Sequence, residues 1–228
     1  MAVTHVLCHV LAVIQPIMKT ITFYLDFISP YAHLAFAALP QTLQGSAVQV
    51  MYKPVLFAAM LKQHAQLGPA EIAGKREWTY RQVMWHAHRL GLNMQMPSAH
   101  PFNPLALLRL ALACGQKGVV SREVCAQILD HVWVGGGDAQ DAQRLMELSA
   151  RLQPALPVDS EAVKQQLKDN TQEALAKGVF GVPTMCVDEH VFWGFDALPM
   201  LKAYLAGDAW FGQAWQAAAQ VEVGVKRT

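Results

Sequence analysis

The sequence contains few cysteines, and none of them is spaced for a redox or metal motif. The 228 residues include four, Cys8, Cys114, Cys125 and Cys186. This scatter excludes a Cys-x-x-Cys redox pair and the usual zinc-ligand spacings. It is typical of reduced thiols inside a cell, and the sequence alone does not identify a pair that could form a disulfide.

Blocks of like charge are also absent. Eighteen basic residues stand against seventeen acidic ones, for a formal net charge of +1. Because no basic run is available to track phosphates or an anionic membrane, we expect no nucleic-acid partner and no membrane partner. With 53% hydrophobic residues, the chain can instead bury a sizeable core in one large domain or two small ones.

Long apolar runs are confined to the N-terminus, in residues 1–17. This segment is too short to span a bilayer comfortably, has no Lys or Arg ahead of its apolar part, and lacks a clear cleavage site. We therefore predict an N-terminal extension rather than a secretory signal. Met18 is a candidate for the true start, and we expect a cytoplasmic protein.

Two strands and a helix follow the extension. A β-rich run predicts a strand over 21–27, and apolar residues at helical spacing predict a helix from about Pro30 to Leu43. A second strand is predicted over 48–54. Together these elements form a βαβ unit.

The middle of the chain is typical of helices. The predicted helix starts are Asn103-Pro104, Ser121, Asp138, and either Asp159 or Ser160. Apolar residues follow each start at helical spacing, and we interpret them as core stripes. Gly178 is the predicted end of the last of these helices.

Strands return only near the C-terminus. "TMCV" at 184–187 and "HVFW" at 190–193 are predicted strands, and a leucine repeat after them marks a final helix. The order βαβ, helical block, ββα predicts an α/β fold in which helices interrupt a small mixed sheet. The tail over 208–228 contains Trp210 and Trp215, which fit packing either on the domain or on a partner.

This order of elements resembles the thioredoxin fold. The helical insertion narrows the resemblance to a branch that contains periplasmic disulfide oxidoreductases, kappa-class glutathione transferases and 2-hydroxychromene-2-carboxylate isomerases. The segments similar to the last group are "FYLDFISPYAHLAF", "YKPVLFAAMLK", "AHPFNPLALLRLA", "GVFGVPTMCVD" and "FWGFDALPML". The resemblance implies a discontinuous thioredoxin-like domain over 19–54 plus 178–207, and a large all-helical insertion domain over 55–177.

Ser29 stands where the oxidoreductases of this branch open a helix with Cys-x-x-Cys. The four residues here are Ser29, Pro30, Tyr31 and Ala32, so dithiol exchange at this position is excluded. The resemblance implies that the Ser29 hydroxyl is catalytic and donates a hydrogen bond to the sulfur of bound glutathione. The residue types alone also fit a simple N-cap before Pro30.

The resemblance also implies a glutathione-binding segment around Pro183. We expect a cis Val182–Pro183 bond, with the main chain of Val182 pairing with the cysteinyl part of glutathione. Gly194, Phe195 and Asp196 are expected at the γ-glutamyl end, where a carboxylate suits the amino group. Phe195 replaces a polar residue of many relatives, and Asp196 also fits an N-cap of the final helix.

Further site residues are expected from the same resemblance. Gln66 is predicted to contact glutathione, and Lys62 to contact a substrate carboxylate, although a surface lysine is usually just solvated. The predicted lining of the substrate pocket is Tyr31, Lys62, Trp85, His100 and Asn103. Trp85 equally fits a packing residue, and Asn103 equally fits a helix cap.

The histidines do not add a metal site to this prediction. His86, His88 and His100 are close in sequence but lack a convincing ligand set. We expect no metal.

The activity implied by the resemblance is a glutathione-dependent isomerisation in which glutathione is a regenerated cofactor. The expected reaction interconverts 2-hydroxychromene-2-carboxylate and trans-o-hydroxybenzylidenepyruvate in aromatic catabolism, such as naphthalene degradation. One alternative is a kappa-like transferase that conjugates glutathione to electrophiles. Another is a non-catalytic module that binds glutathione or a peptide. A homodimer is expected from the same resemblance.

Overall fold

The fold is described from a computed structural model, which covers residues 18–222, 224 and 225. The predicted extension over 1–17, and with it Cys8, lies outside the described residues. The other three cysteines, Cys114, Cys125 and Cys186, are free thiols. Across this part of the chain, no helix is both long enough and apolar enough to cross a membrane.

A four-stranded mixed sheet lies at the centre of the fold, in the order β2-β1-β3-β4. Its strands are β1 (Lys19–Leu25), β2 (Val48–Pro54), β3 (Thr184–Val187) and β4 (His190–Trp193). β2 runs parallel to β1, whereas β3 is antiparallel to β1 and β4 is antiparallel to β3. The two predicted halves of the chain therefore share one sheet, and the predicted α/β fold is confirmed.

Helices supply the rest of the fold. They are α1 (Pro30–Thr42), α2 (Phe57–Gln63), α3 (Ala73–Leu90), α4 (Leu105–Cys114), α5 (Arg122–Trp133), α6 (Ala142–Leu152), α7 (Glu161–Ala176), α8 (Leu198–Leu205) and α9 (Gln213–Ala218). The run from α2 to α7 lies between β2 and β3. This run is the predicted helical insertion, and it is confirmed.

Polar side chains fix the starts of several helices. Ser29, Ser121 and Ser160 each accept a hydrogen bond from the backbone amide three residues further on, as predicted for N-caps. The predicted cap of α6 is wrong, because Asp141 rather than Asp138 accepts the Arg144 amide, at 2.8 Å. The carboxylate of Asp138 instead accepts an amide within the turn that precedes the helix.

The larger of two apolar clusters joins the sheet to the helices. Phe23 of β1, Leu34 of α1 and Ile128 of α5 are fully buried members of this cluster. Phe23 also lies opposite Tyr52 of β2, with 5.6 Å between their ring centroids. The sheet and the insertion therefore pack as one body, and the predicted boundaries between two domains stay a prediction.

The C-terminal tail packs back on the sheet, one of the two placements that its tryptophans fit. The ring centroid of Trp215 lies 5.4 Å from that of His190 on β4 and 5.5 Å from that of Phe211. Trp210 lies 5.8 Å from Trp215. These aromatic contacts cover the edge strand β4 on one face.

Candidate active site

Ser29 ends a tight turn between β1 and α1, which we call the serine turn (residues 26–29). The first strand, predicted to extend to residue 27, ends at Leu25 because the Asp26 carbonyl accepts the Ser29 amide at 3.0 Å. The Ser29 hydroxyl oxygen accepts the Ala32 amide at 3.3 Å, and Pro30 occupies the first position of α1. The N-cap reading is therefore confirmed, and the hydroxyl lies at the positive end of the helix.

The Ser29 hydroxyl also contacts the segment before β3. It donates a hydrogen bond to the Val182 carbonyl at 3.3 Å, and both residues are buried. The Val182–Pro183 bond is cis, as predicted. Among the described residues the Val182 amide has no hydrogen-bond partner. A hydroxyl and a main-chain donor are thus brought together from opposite ends of the chain.

Asp196 lies on the loop that follows β4, but it is not a helix cap. It belongs to a 3₁₀ turn over Phe195–Ala197, and Ala197 takes the N-cap position of α8 without a side-chain hydrogen bond. The N-cap reading is therefore wrong. The carboxylate instead folds over Gly194, whose φ of 95° and close approach to Asp196 both disfavour any side chain there. Asp196 is exposed, and in the described chain no group donates to its carboxylate.

Helix α3 borders the site from the insertion. The Tyr31 hydroxyl of α1 donates to Gln82 of α3 at 2.6 Å. The ring of His86 lies 5.0 Å from that of Phe195 and 4.9 Å from that of Trp85. Burial lowers the pKa of His86, Arg89 lowers it further, and the nearby Asp196 carboxylate opposes the shift. Helix α3 therefore contacts two predicted site residues from opposite ends of the fold, Tyr31 on α1 and Phe195 after β4.

Gln82 and His86 are site neighbours that the sequence did not reveal, because α3 begins without a polar cap at Ile72. The end of α3 does carry a sequence signal, Gly91, which adopts a left-handed conformation just after the last turn. Counting back from that glycine at helical spacing places Gln82 and His86 on neighbouring turns of one face.

His100 is engaged with the protein through both ring nitrogens. Nε2 lies 2.8 Å from the Ile28 carbonyl oxygen, and Nδ1 lies 2.8 Å from the Tyr80 hydroxyl. Burial lowers the pKa of His100, and the hydrogen bond to Ile28 opposes this shift. A role for the ring in substrate binding stays a prediction.

Three other predicted residues lie outside this network. The helix cap predicted at Asn103 is wrong, because Pro104 takes the N-cap position of α4 without a side-chain hydrogen bond. Asn103 is exposed just before it, and its side chain accepts a hydrogen bond from the Leu105 amide at 3.0 Å. Lys62 and Gln66 are exposed at the end of α2 and just beyond it. Within the described ranges, their side chains make no hydrogen bond or ion pair. Their predicted contacts with substrate and glutathione stay predictions.

Asp26 is a buried acid of the site that sequence reasoning missed. It is fully buried, and its carboxylate accepts the Phe57 amide at 2.9 Å and the Ile28 amide at 3.2 Å. Burial raises the pKa of Asp26 to about 7, against the opposing effect of these hydrogen bonds. The signal was a charged residue within the otherwise apolar run "FYLDF".

Metal ligation finds no support in the part of the chain that the structure describes. It contains no group of three or more His, Cys, Asp or Glu side chains that could hold a metal ion.

The mixed sheet, the helical insertion, and a helix N-terminus beside a cis-proline define a thioredoxin-like protein. The chain matches the DSBA-like thioredoxin domain over residues 20–206, and it belongs to that family.

Curated relatives and solved structures narrow the comparison. The chain is 27% identical to a 2-hydroxychromene-2-carboxylate isomerase of Sphingobium xenophagum, over 82% of this chain and 98% of that protein. It is also 27% identical to glutathione S-transferase kappa 2 of Caenorhabditis elegans, over 84% and 94% of the two chains. A solved 2-hydroxychromene-2-carboxylate isomerase superposes with a TM-score of 0.69 at 19% identity, covering 89% of this chain and all of that one. The last match supports the fold.

Proposed function

We propose that this protein is a glutathione-dependent isomerase that interconverts 2-hydroxychromene-2-carboxylate and trans-o-hydroxybenzylidenepyruvate. The observation that carries the proposal is the Ser29 hydroxyl, held at the N-terminus of α1 and 3.3 Å from the carbonyl of the residue before a cis-proline. The isomerase relative at 27% identity supports this choice of reaction.

The polar groups around Ser29 fit glutathione. Within the described residues, the Val182 amide has no partner and can pair with an extended peptide, and the exposed carboxylate of Asp196 accepts no hydrogen bond and can meet a cationic amino group. Gly194 and Phe195 lie beside Asp196 and complete the proposed binding segment with Pro183. We assign Gln66 a glutathione contact on the resemblance alone.

Ser29 is proposed to activate a sulfur rather than to attack the substrate itself. An ordinary thiol with a pKa of about 8.5 is only a few per cent thiolate at neutral pH. Lowering that pKa by about two units corresponds to roughly 2.7 kcal/mol of preferential thiolate stabilisation. The Ser29 hydroxyl and the positive end of α1 supply this stabilisation when the hydroxyl turns from Val182 to the sulfur.

Glutathione, when bound, supplies the thiolate that adds reversibly to the unsaturated carbon, so that a conjugated bond can rotate before the sulfur leaves. Lys62 is proposed to hold the substrate carboxylate and to stabilise the negative charge that develops on the substrate. The proposed pocket lining is Tyr31, Lys62, Trp85, His100 and Asn103. The Trp85 ring packs against the His86 ring, and the His86 ring packs against Phe195 at the site.

A kappa-like transferase is the second candidate function. The same activated sulfur serves a conjugation, and the kappa relative matches the chain at the same 27% identity as the isomerase. The two functions differ in the fate of glutathione, which is regenerated by the isomerase and consumed by the transferase.

An ultraviolet assay separates these functions. Purified protein is mixed with 2-hydroxychromene-2-carboxylate, with and without glutathione, while the ring-opened product and the remaining glutathione are followed. Isomerisation that needs glutathione without consuming it supports the proposal. Glutathione loss to a general electrophile, without isomerisation, shifts the assignment to a transferase. Binding of glutathione without either activity indicates a non-catalytic module.

A homodimer and a cytoplasmic location are proposed with this function on the basis of the resemblance. Sedimentation of the purified protein tests the first, and a monomer at all concentrations would withdraw it. Cell fractionation tests the second.

A further inference from the structure

The serine turn (residues 26–29) is held by side chains from distant parts of the chain. The indole Nε1 of Trp133 donates to the Phe27 carbonyl at 3.1 Å. His100 Nε2 lies 2.8 Å from the Ile28 carbonyl oxygen, and the Asp26 carboxylate accepts the Ile28 amide at 3.2 Å. The turn therefore depends on the helical insertion for two of its main-chain partners.

The hydrogen bonds determine which nitrogen of His100 carries the proton. The Ile28 carbonyl can only accept, so Nε2 must carry a hydrogen. In the neutral ring Nδ1 is then an acceptor, and the Tyr80 hydroxyl lies 2.8 Å from it and 2.9 Å from the His100 carbonyl oxygen, the two acceptors within reach of its one hydrogen. The Ile28 carbonyl thus sets the tautomer, and Tyr80 contacts the other edge of the ring and the His100 main chain.

One peptide unit connects this bond to the proposed catalytic hydroxyl. The Ile28 carbonyl and the Ser29 amide belong to the same planar group. His100 holds the oxygen of this group at 2.8 Å, and the Asp26 carbonyl accepts its N–H at 3.0 Å. Fixing both ends of a planar unit fixes its orientation, and with it the position of the Ser29 Cα atom.

We propose that His100 is a positioning residue for Ser29, acting through the Ile28 carbonyl, with its ring and main chain held in place by Tyr80. This inference rests on the proposed function for its effect on a bound thiol, although the contact itself exists without ligand. It gives His100 a role in addition to its proposed place in the lining of the substrate pocket. It also explains why both ring nitrogens are occupied by protein groups.

Two substitutions of similar size separate the hydrogen bond from packing. His100→Met replaces the ring with a side chain of similar size that has no N–H donor, whereas His100→Gln retains a side-chain N–H that can reach Ile28. His88→Met is the matched control, because His88 is exposed on α3 and no described group bonds to its ring.

The first measurement needs no ligand. Amide hydrogen exchange in the segment from Ile28 to His33 is expected to quicken in His100→Met, and to return towards the wild-type rate in His100→Gln. His88→Met is expected to leave it unchanged. Equal exchange in wild type and His100→Met would overturn the positioning role, whether or not the protein uses glutathione.

The second measurement uses glutathione. The ultraviolet absorbance of the bound thiolate, followed against pH, is expected to show a thiol pKa about one unit higher in His100→Met, with roughly threefold slower turnover at neutral pH. His100→Gln is expected to restore most of both. If the quickened exchange is found but the wild type shows no bound thiolate, the proposed function fails while the positioning role stands. If the thiolate is present and His100→Gln is as impaired as His100→Met, the hydrogen bond is not the cause.

Tyr80→Phe keeps the test decisive if His100→Met does not fold. This substitution removes the hydroxyl that contacts Nδ1 and the His100 carbonyl oxygen, so His100 is held less firmly and the same changes are expected in smaller size. Unchanged exchange and an unchanged thiol pKa in this variant would overturn the inference.

Discussion

The N-termini of α1 and α5 look alike at short range and differ in everything around them. Ser29 accepts the amide of Ala32 at 3.3 Å, and Ser121 accepts the amide of Val124 at 3.2 Å. Ser29 is buried and also reaches Val182, whereas Ser121 is exposed. The same cap therefore serves a candidate active site in one helix and only stability in the other.

The difference continues in the first turn of each helix. α5 carries Glu123 there, and its negative charge compensates the positive end of the helix. α1 has no acidic residue in its first turn. The positive end of α1 is thus left for an external anion, which is what a bound thiolate requires. The serine cap alone does not distinguish α1 from α5, whereas the lack of an acidic residue in the first turn does.

The largest expected effect concerns Asp26, the buried carboxylate in the serine turn before α1. Folding raises the pKa of Asp26 from 3.8 to about 7. The folded protein therefore binds more protons than the unfolded chain between these values. Protonation of Asp26 therefore stabilises the folded protein. This contribution to the free energy of unfolding is fully present below about pH 4 and is lost as the pH rises through about 7, a loss of up to roughly 4 kcal/mol.

Asp26→Asn is expected to remove this part of the pH dependence. Urea unfolding of both proteins at several pH values checks it, through the difference between their free energies of unfolding. Burial lowers the pKa of His33 to about 4, which gives a contribution of opposite sign. That contribution is present in both proteins and cancels in the difference. The same pH slope in both would contradict the expectation.

The next effect is on turnover. Ser29→Ala removes the hydroxyl donor, so the bound thiol is expected to return towards its ordinary pKa, with roughly 20-fold slower isomerisation at neutral pH. The deficit is expected to shrink as the pH rises above about 8.5, where the thiolate forms unaided. Steady-state rates across the pH range measure both. A constant deficit at every pH would argue against thiol activation by this hydroxyl.

The smallest effect sharpens the comparison from the other side. Ser121→Ala removes the matching cap of α5 and is expected to lower the free energy of unfolding by about 1 kcal/mol, as Ser29→Ala does through its own cap. Its turnover is expected to equal that of the wild type. Urea denaturation and the isomerase assay on the same preparations test the pair, and slower turnover in Ser121→Ala would remove the contrast.

The parts of the fold that local chemistry determines could be predicted from the sequence. Ser121 was predicted as a cap, and the caps at Ser29 and Ser160 were each one of two alternatives, because a serine before a helix commonly accepts a hydrogen bond from a backbone amide. The choice between Asp138 and Asp141 failed, since both aspartates precede the same helix and only the path of the turn separates them. The cis bond before Pro183 came from the resemblance, not from the local residues.

The contacts that hold the site could not be predicted in the same way. His100 and Trp133 meet the serine turn across 72 and 106 residues of chain. The residues next to His100 and Trp133 in the sequence do not predict a hydrogen-bond partner so far away. Asp26 gave a signal, a charge within an apolar strand, but its amide partners at Ile28 and Phe57 depend on how the chain turns.

The hydrogen bond from Trp133 to the Phe27 carbonyl restricts how this protein can be recombined with its relatives. A chimera that keeps β1 and α1 but takes its helices from another family member must also bring a donor to that buried carbonyl. Without one, the chimera carries an unsatisfied polar group at the entrance to α1, at a cost of about 1–3 kcal/mol. The helical insertion therefore cannot be exchanged independently of β1 and α1. A replacement insertion must supply, in place of Trp133, a side chain that donates to the Phe27 carbonyl.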